Sequence, residues 1–452
     1  MPQDIRAGWE ADGWQVIEVD GHNLNEIYSA LRQATLGKNK PVMILARTVM
    51  GKGVSFMEND ESYHGAPIKP DQLGNALKEL GGIENDLEQL RSRRLEGPPP
   101  PFKINRAGFP DVKPGEPIQY GTDDKLDNRS AFGKALLSVA DANLSGDSKP
   151  VMAVFDCDLA GSVKTTAFGK KYPDSFFQCG IAEHNTAVVA GSLSAERALS
   201  VWAAFGMFGI TETYNQARLN DINHTNLKLF CTHSGISVGE DGKTHHCIDY
   251  FGLLNSTFGW KLITPADPNQ TDSVVRHALT NPGNFAVVMG RSTAPVITDE
   301  KGLPFFGEKY EYRYGRMEII RPGEQVALVT SGNMLAVGLD AWNRLTEQGV
   351  KAMLVSVSDW SDLHTNDLEM LGGMQEIIVL EDHVVKTGLG TAIGSALLES
   401  GFSPRLTKMG VPRYAPSGKA ADLYRILGLN AESVANKVKD ISERIGINCE
   451  VG

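Results

Sequence analysis

Val151-Met152-Ala153-Val154-Phe155 is an unbroken apolar run, followed at once by Asp156-Cys157-Asp158-Leu159-Ala160-Gly161-Ser162. A strand with one wet face alternates apolar and polar residues. A run that is apolar throughout reads as a strand buried on both faces, the habit of a parallel sheet covered by helices. Working outward, helical patterns are expected over 129–142, 181–196 and 210–219, and further strands over 199–204, 227–231, 261–264 and 285–289. A second unit of the same kind starts near 325, with strands over 326–330, 351–357 and 376–380 and helices over 334–348 and 390–399. This alternation predicts an α/β fold built on parallel sheets.

The first hundred residues differ. Gln15 to Asp20 and Pro41 to Ala46 read as strands around a helix from Asn23 to Gln33, capped by Asn23 or Asn25. Two strands are too few for an independent sheet. Gly97-Pro98-Pro99-Pro100-Pro101 has no N–H to spare for a ladder and favours an extended chain. The expected organisation is therefore 1–96, a linker over 97–122, a first α/β domain over 123–305 and a second over 318–452.

Composition narrows the function classes. The 452 residues carry 44 Lys and Arg against 55 Asp and Glu, a net charge of −11, with 41% hydrophobic and 22% charged residues. This is ordinary for a globular chain, and the acidity argues against nucleic-acid or anionic-membrane partners. No apolar stretch approaches the roughly 18 residues of a membrane span. The start, Met1-Pro2-Gln3-Asp4-Ile5-Arg6, lacks the pattern of a signal peptide, and the five cysteines (157, 179, 231, 247 and 449) are too sparse for a disulfide scaffold. A cytoplasmic location is expected.

Parallel sheets bind ligands beyond the carboxyl ends of their strands. Here those ends carry Asp156 to Ser162, then Thr232-His233-Ser234-Gly235, then Gly239-Glu240-Asp241-Gly242-Lys243-Thr244-His245-His246, then Gly290-Arg291-Ser292. Arg grips phosphate bidentately, His donates or carries protons, and Asp accepts from sugar hydroxyls, so the set suits a small, hydroxylated anion. Glu183, in Gly180-Ile181-Ala182-Glu183, is either an acid favoured by a helix N-terminus or a carboxyl in apolar surroundings that shares a proton with a ligand nitrogen. Phe205 and Phe208 are either core residues or a stacking platform. Cys231, His233, His245, His246 and Cys247 could supply zinc ligands, but their spacing matches no standard finger or ribbon. No Gly-x-Ser-x-Gly elbow follows a strand, and Gly388-Leu389-Gly390 lacks the third glycine of a dinucleotide fingerprint.

Together these passages resemble transketolase, a thiamine-diphosphate enzyme family. Asp20-Gly21-His22-Asn23, Val49-Met50-Gly51-Lys52-Gly53 and Tyr63-His64-Gly65-Ala66-Pro67 resemble the end of the family's diphosphate-binding domain. Asp158 to Ser162, Gly180 to Glu183 and Thr232 to His245 resemble its pyrimidine-binding domain, and Glu381-Asp382-His383 with Gly388-Leu389-Gly390 its C-terminal domain. The resemblance implies transfer of a two-carbon ketol unit from a ketose phosphate to an aldose phosphate, with thiamine diphosphate supplying the carbanion chemistry. It implies that Glu183 hydrogen-bonds the pyrimidine nitrogen, that Phe205 stacks on that ring, and that Phe208 and Asp158 line the cofactor pocket. Asp241 and His245 would bind donor hydroxyls, His64 and His245 would assist proton transfer, and Arg129, Ser162, His233 and Arg291 would hold the substrate phosphate.

The family binds the diphosphate through Mg2+ or Ca2+, using Gly-Asp-Gly and a later Asn. No Gly-Asp-Gly follows a strand here, since Gly146-Asp147-Ser148 precedes one. The chain is therefore expected to lack most of the family's first domain and its metal ligands. It would be one subunit of a split enzyme, a fragment of a longer product, or a non-catalytic dimerising paralogue. The expected assembly is a homodimer, or a heterotetramer with a chain carrying the missing domain. A related alternative is 1-deoxy-xylulose-5-phosphate synthase, which would use pyruvate.

Overall fold

The computed structural model describes residues 3–37, 39–82, 89, 91–94, 108–145 and 151–445. The chain divides into two compact units, 1–104 and 105–452. In the first, β1 (Gln15–Asp20) pairs in parallel with β2 (Val42–Arg47) around the helix Leu24–Leu36. Asn23 caps that helix, its side chain accepting from the N–H of Asn25 and Glu26. The passages singled out above meet here, because His22 Nε2 accepts from the N–H of Val49 at 2.7 Å. His64 ends the short turn Glu61–Tyr63 and is exposed.

The second unit holds two sheets. A short antiparallel pair, β3 (Leu126–Asp127) with β10 (Thr293–Ala294), accompanies the first. That sheet consists of β4 (Met152–Asp156), β5 (Phe176–Gln178), β6 (Leu199–Phe205), β7 (Lys228–Thr232), β8 (Trp260–Ile263) and β9 (Asn284–Val288). Its order is β5-β4-β6-β7-β9-β8, and every pairing is parallel. Every residue of β4, β6, β7 and β9 is buried, which is why their sequences do not alternate.

Alternation survives in direction. Ala153, Phe155, Trp202, Ala204, Leu229 and Cys231 enter one layer, while Val154, Val201, Ala203, Phe205, Phe230 and Phe285 enter the other. Each large apolar side chain buried this way is worth about 1.5–3 kcal/mol. The chain runs from β4 outward to β5, then crosses back to β6 on the other side of β4. That reversal leaves a crevice beyond the carboxyl ends of β4 and β6.

The second sheet comprises β11 (Met317–Arg321), β12 (Val326–Thr330), β13 (Met353–Val357), β14 (Glu376–Val384) and β15 (Arg405–Val411), in the order β11-β13-β12-β14-β15. Only β11 runs antiparallel. The two sheets share one apolar cluster, in which Trp202, Leu229 and Phe251 join Val329, Val355 and Trp360. Trp360 seals the joint, donating its indole N–H to Ser331 at 2.7 Å. Among the described residues no helix is long and apolar enough to cross a membrane.

The expected linker lies partly outside the described residues, at 97–107. Its remainder runs along the helix Pro268–Thr280, where the N–H of Ile118 and Tyr120 donate to Asp272 and Asn269. Gly146-Asp147-Ser148 also lies outside the described residues.

Candidate active site

The loop after β4 is organised from beneath. Asp156, fully buried, accepts from the N–H of Leu159 at 2.8 Å and from the Gln178 amide at 2.8 Å. The other end of that amide, Gln178 Oε1, accepts from the N–H of Asp158 at 2.7 Å and of Gly180 at 3.1 Å. One side chain at the end of β5 therefore sets both the Asp158 turn and the approach to Glu183. Asp158 has φ 62° and His233 φ 56°, left-handed conformations uncommon for non-glycine residues and typical of functional loops.

Glu183 opens the helix Glu183–Ala195 and is 8% exposed, with no hydrogen bond from a described residue to its carboxylate. Its charge helps push the thiol pKa of Cys157 upward, after burial, the larger cause. It is not the solvated acid of a surface helix start. Phe205 ends β6, beside the crevice. One turn of π-helix, Met207–Glu212, follows immediately and sets Phe208 near-parallel to Phe205, with ring centroids 5.9 Å apart. His233 covers one face of Phe205 at 3.8 Å, and His245 meets Phe208 edge-on at 5.3 Å. A bound ring can use only the faces that His233 leaves open.

Beside the aromatic pair lies a cationic corner. Arg129 is held by the helix Asn128–Leu144, which Asp127 caps by accepting from the N–H of Ser130 at 2.8 Å. The guanidinium donates to Asp127 at 3.1 Å, to the Ser162 carbonyl at 3.2 Å, and to His233 Nε2 at 3.2 Å. Arginine has no acceptor, so Nε2 of His233 must be unprotonated, and Nδ1–H donates to Thr232 Oγ1 at 2.8 Å. Burial first, then Arg129 and Arg291, lower the His233 pKa to about 3, so the ring is neutral at pH 7. Both nitrogens of His233 are thus engaged within the chain, and it serves Arg129 directly. Arg129 Nε is buried without a partner, a spare donor in the fork.

Arg291, after β9, donates to the Val238 carbonyl at 2.8 Å and pairs with Glu240 at 3.4 Å and Asp241 at 3.7 Å. Arg129, Ser162, Phe205, Phe208, His233, Asp241, His245 and Arg291 therefore converge at the carboxyl ends of β4, β6, β7 and β9. Glu183 and Asp158 flank the same crevice, and His64 lies in the other unit. Two organising residues, Asp127 and Gln178, escaped the sequence reading, and Thr232 was read as part of the rim without its role as the His233 partner. Asp127 had a signal, a capping acid just before a helix; the other two act only through contacts between strand ends. Cys231 and Cys247 are buried, and no group of three or more His, Cys, Asp or Glu that could hold a metal ion occurs among the described residues.

A cavity of about 1020 Å3, lined by Tyr120, Lys301, Tyr310, Arg313, Arg316 and Glu318, shares none of these residues. Its cations and anions are mixed and it holds no convergent set, so the chemistry lies at the strand ends.

Three family models match in order along the chain. They are the transketolase thiamine diphosphate binding domain at 1–89, the pyrimidine binding domain at 124–296 and the C-terminal domain at 315–434. Transketolase of Homo sapiens is 26% identical over 442 residues, covering 96% of this chain and 66% of its own length. Transketolase-like protein 2 of Mus musculus is 28% identical over 440 residues, covering 95% of this chain and 66% of its own. The chain thus spans about two thirds of these curated relatives. Transketolase from Leishmania mexicana superposes with TM-score 0.75 at 19% identity, over all of this chain and 70% of that one. A protein described as split gene transketolase, inactive beta4 tetramer, gives TM-score 0.60 at 26% identity, over 70% of this chain and 98% of that one.

The match at 1–89 corrects the expectation that most of the first domain is lacking and that 1–96 is only its remnant. That expectation rested on the Gly-Asp-Gly signature, one segment of the domain, whereas the matched residues hold the β1–β2 unit with its helices.

Proposed function

We infer that this chain, which belongs to the transketolase family, carries the pyrimidine half and the sugar-phosphate rim of a thiamine diphosphate site. It would serve transfer of a two-carbon ketol unit from a ketose phosphate to an aldose phosphate. The observation that carries this reading is the convergence at one crevice of a free buried carboxylate, an aromatic pair and two arginines.

The residues fit the cofactor's pyrimidine end. Glu183 offers an acceptor with no competing donor, so it would bind a protonated ring nitrogen and hold the proton there. Phe208 and the open face of Phe205 would take the ring and exclude water. When bound, thiamine diphosphate supplies the carbanion chemistry of C–C cleavage and formation. Arg129, its guanidinium held by Asp127, the Ser162 carbonyl and His233, would bind the substrate phosphate, with Ser162 and Arg291 beside it. His233 keeps the Arg129 fork aimed, and Asp241 and His245 would orient donor hydroxyls. His64 would assist proton transfer near the reacting carbonyl.

The diphosphate would be held by the unit matched at 1–89, and the ligands of Mg2+ or Ca2+ would come from a companion chain. Dimerisation and a cytoplasmic location belong to the same proposal. The test uses the purified protein, with and without a companion carrying a Gly-Asp-Gly…Asn segment, thiamine diphosphate and magnesium. Xylulose 5-phosphate and ribose 5-phosphate should be converted. Bound cofactor with no turnover would defeat the reading, and decarboxylation of pyruvate would replace it with the synthase alternative.

A further inference from the structure

The loop Ser234–His246 carries Asp241 and His245, and it is gripped from the second sheet. The last residues of β14 run past the end of its regular pairing. Asp382 receives the N–H of Ile236 on both carboxylate oxygens, at 2.9 and 3.1 Å. Tyr424, on the helix Ala420–Ile426, donates its hydroxyl to the same carboxylate at 2.5 Å. Ile236 begins a short 3-10 turn that kinks at Gly239 (φ 72°) before the chain reaches Asp241, so Asp382 anchors from another sheet the start of the segment that leads to Asp241.

Two further residues hold the returning limb. The N–H of Val384 donates to the Ile248 carbonyl at 2.8 Å, and His383 Nε2 accepts from the N–H of Phe251 at 3.2 Å. The grip is close-fitting, since Gly235, at φ +77°, abuts the Asp382 carboxylate with no room for a Cβ. The same turn is held by Arg291, whose backbone N–H donates to Ser237 Oγ at 3.0 Å.

We propose that Asp382, supported by Tyr424, is a positioning residue for the donor sugar: it fixes the backbone of 236–241 and so the direction from which Asp241 meets the donor's hydroxyls. The consequence for donor recognition rests on the function proposed above; the positioning itself does not. Asp382 touches none of the residues assigned to the cofactor, so its loss should weaken donor binding and spare thiamine diphosphate.

The test is Asp382→Asn in the assembled protein, read two ways. Hydrogen exchange over 235–246 should rise about tenfold, the worth of one hydrogen bond to a charged group, with 326–357 unchanged. Donor KM should rise about tenfold, with kcat within about threefold and cofactor affinity unaltered. Tyr424→Phe keeps the carboxylate and should show the same pattern weakened; it carries the test if Asp382→Asn does not fold. Unchanged exchange and unchanged KM in a folded variant would overturn the proposal. So would loosening throughout the second sheet with kcat, kcat/KM and cofactor affinity falling together, the mark of a merely structural residue. If the wild type converts no ketose phosphate, the functional reading fails, and the exchange result alone decides the positioning.

Discussion

Arg129→Lys separates recognition of the phosphate from recognition of the sugar. The guanidinium side chain is 12% exposed and reaches three partners at 3.1–3.2 Å, namely Asp127, the Ser162 carbonyl and His233 Nε2. An ammonium keeps the charge, so the pair with Asp127 can survive and the fold should hold. It cannot span all three partners, nor present two parallel N–H bonds to a phosphate. The loss is one or two charge-assisted hydrogen bonds in a nearly dry corner, on the order of 1.5–3 kcal/mol. That corresponds to roughly a 10- to 150-fold fall in kcat/KM. The assay compares a phosphorylated ketose with an unphosphorylated ketose of the same stereochemistry in steady-state turnover. The phosphorylated donor should lose that factor and the unphosphorylated one less than about threefold. An equal fall for both donors, or no fall for the phosphorylated one, would refute the assignment of Arg129 to the phosphate.

Glu183→Gln replaces the free carboxylate with an amide of the same shape; turnover should drop by at least about 100-fold while the melting temperature holds, as activity and calorimetry would show. Burial raises the Glu381 pKa to about 8, so the folded state holds its proton where the unfolded chain has released it. Stability from this group is complete below the ordinary carboxyl range and is lost as pH rises toward 8, by up to a few kcal/mol. In urea titrations Glu381→Gln should flatten that decline, and identical pH curves for variant and wild type would rule the cause out. On the acid side, burial lowers the pKa of His233 to about 3 and of His383 to about 4. Below about 6.5 the unfolded chain takes up protons at these two sites that the folded one refuses, so their contribution to stability should fall from pH 6.5 toward 4, against the gain from Glu381, and His383→Gln should remove part of that loss.

The strands that build the core were legible because complete burial leaves a local trace, an apolar residue at every position. Val151–Phe155 and Phe285–Met289 were read to within one residue of β4 and β9. Edge strands of the two larger sheets leave a weaker trace, and among them only Trp260–Ile263, largely buried, was read in advance. Phe176–Gln178, Met317–Arg321 and Arg405–Val411 are short or half exposed and were not anticipated. The helix Pro268–Thr280 was also missed, although Asp267 caps it and Pro268 opens it. The site's polar residues stood out because they interrupt apolar strands at their ends, and this placed Arg291, His233 and Asp158 on one rim. The direction of each side chain did not follow from the order of residues. Nothing local says that His233 would spend both ring nitrogens inside the chain, or that Asp382, far along the sequence, would anchor the turn at Ile236 that leads to Asp241.

The π-helical turn after β6 has an implication for engineering. Such a turn holds one residue more than an α-helix would, and removing that residue from Met207–Glu212 would restore the tighter ladder. Each residue of an α-helix advances the side chain by about 100° around the axis, so the repair would swing Phe208 out of its alignment with Phe205. A deletion selected for heat resistance at this turn would be expected to dismantle the platform, and here the irregular backbone is the one to keep.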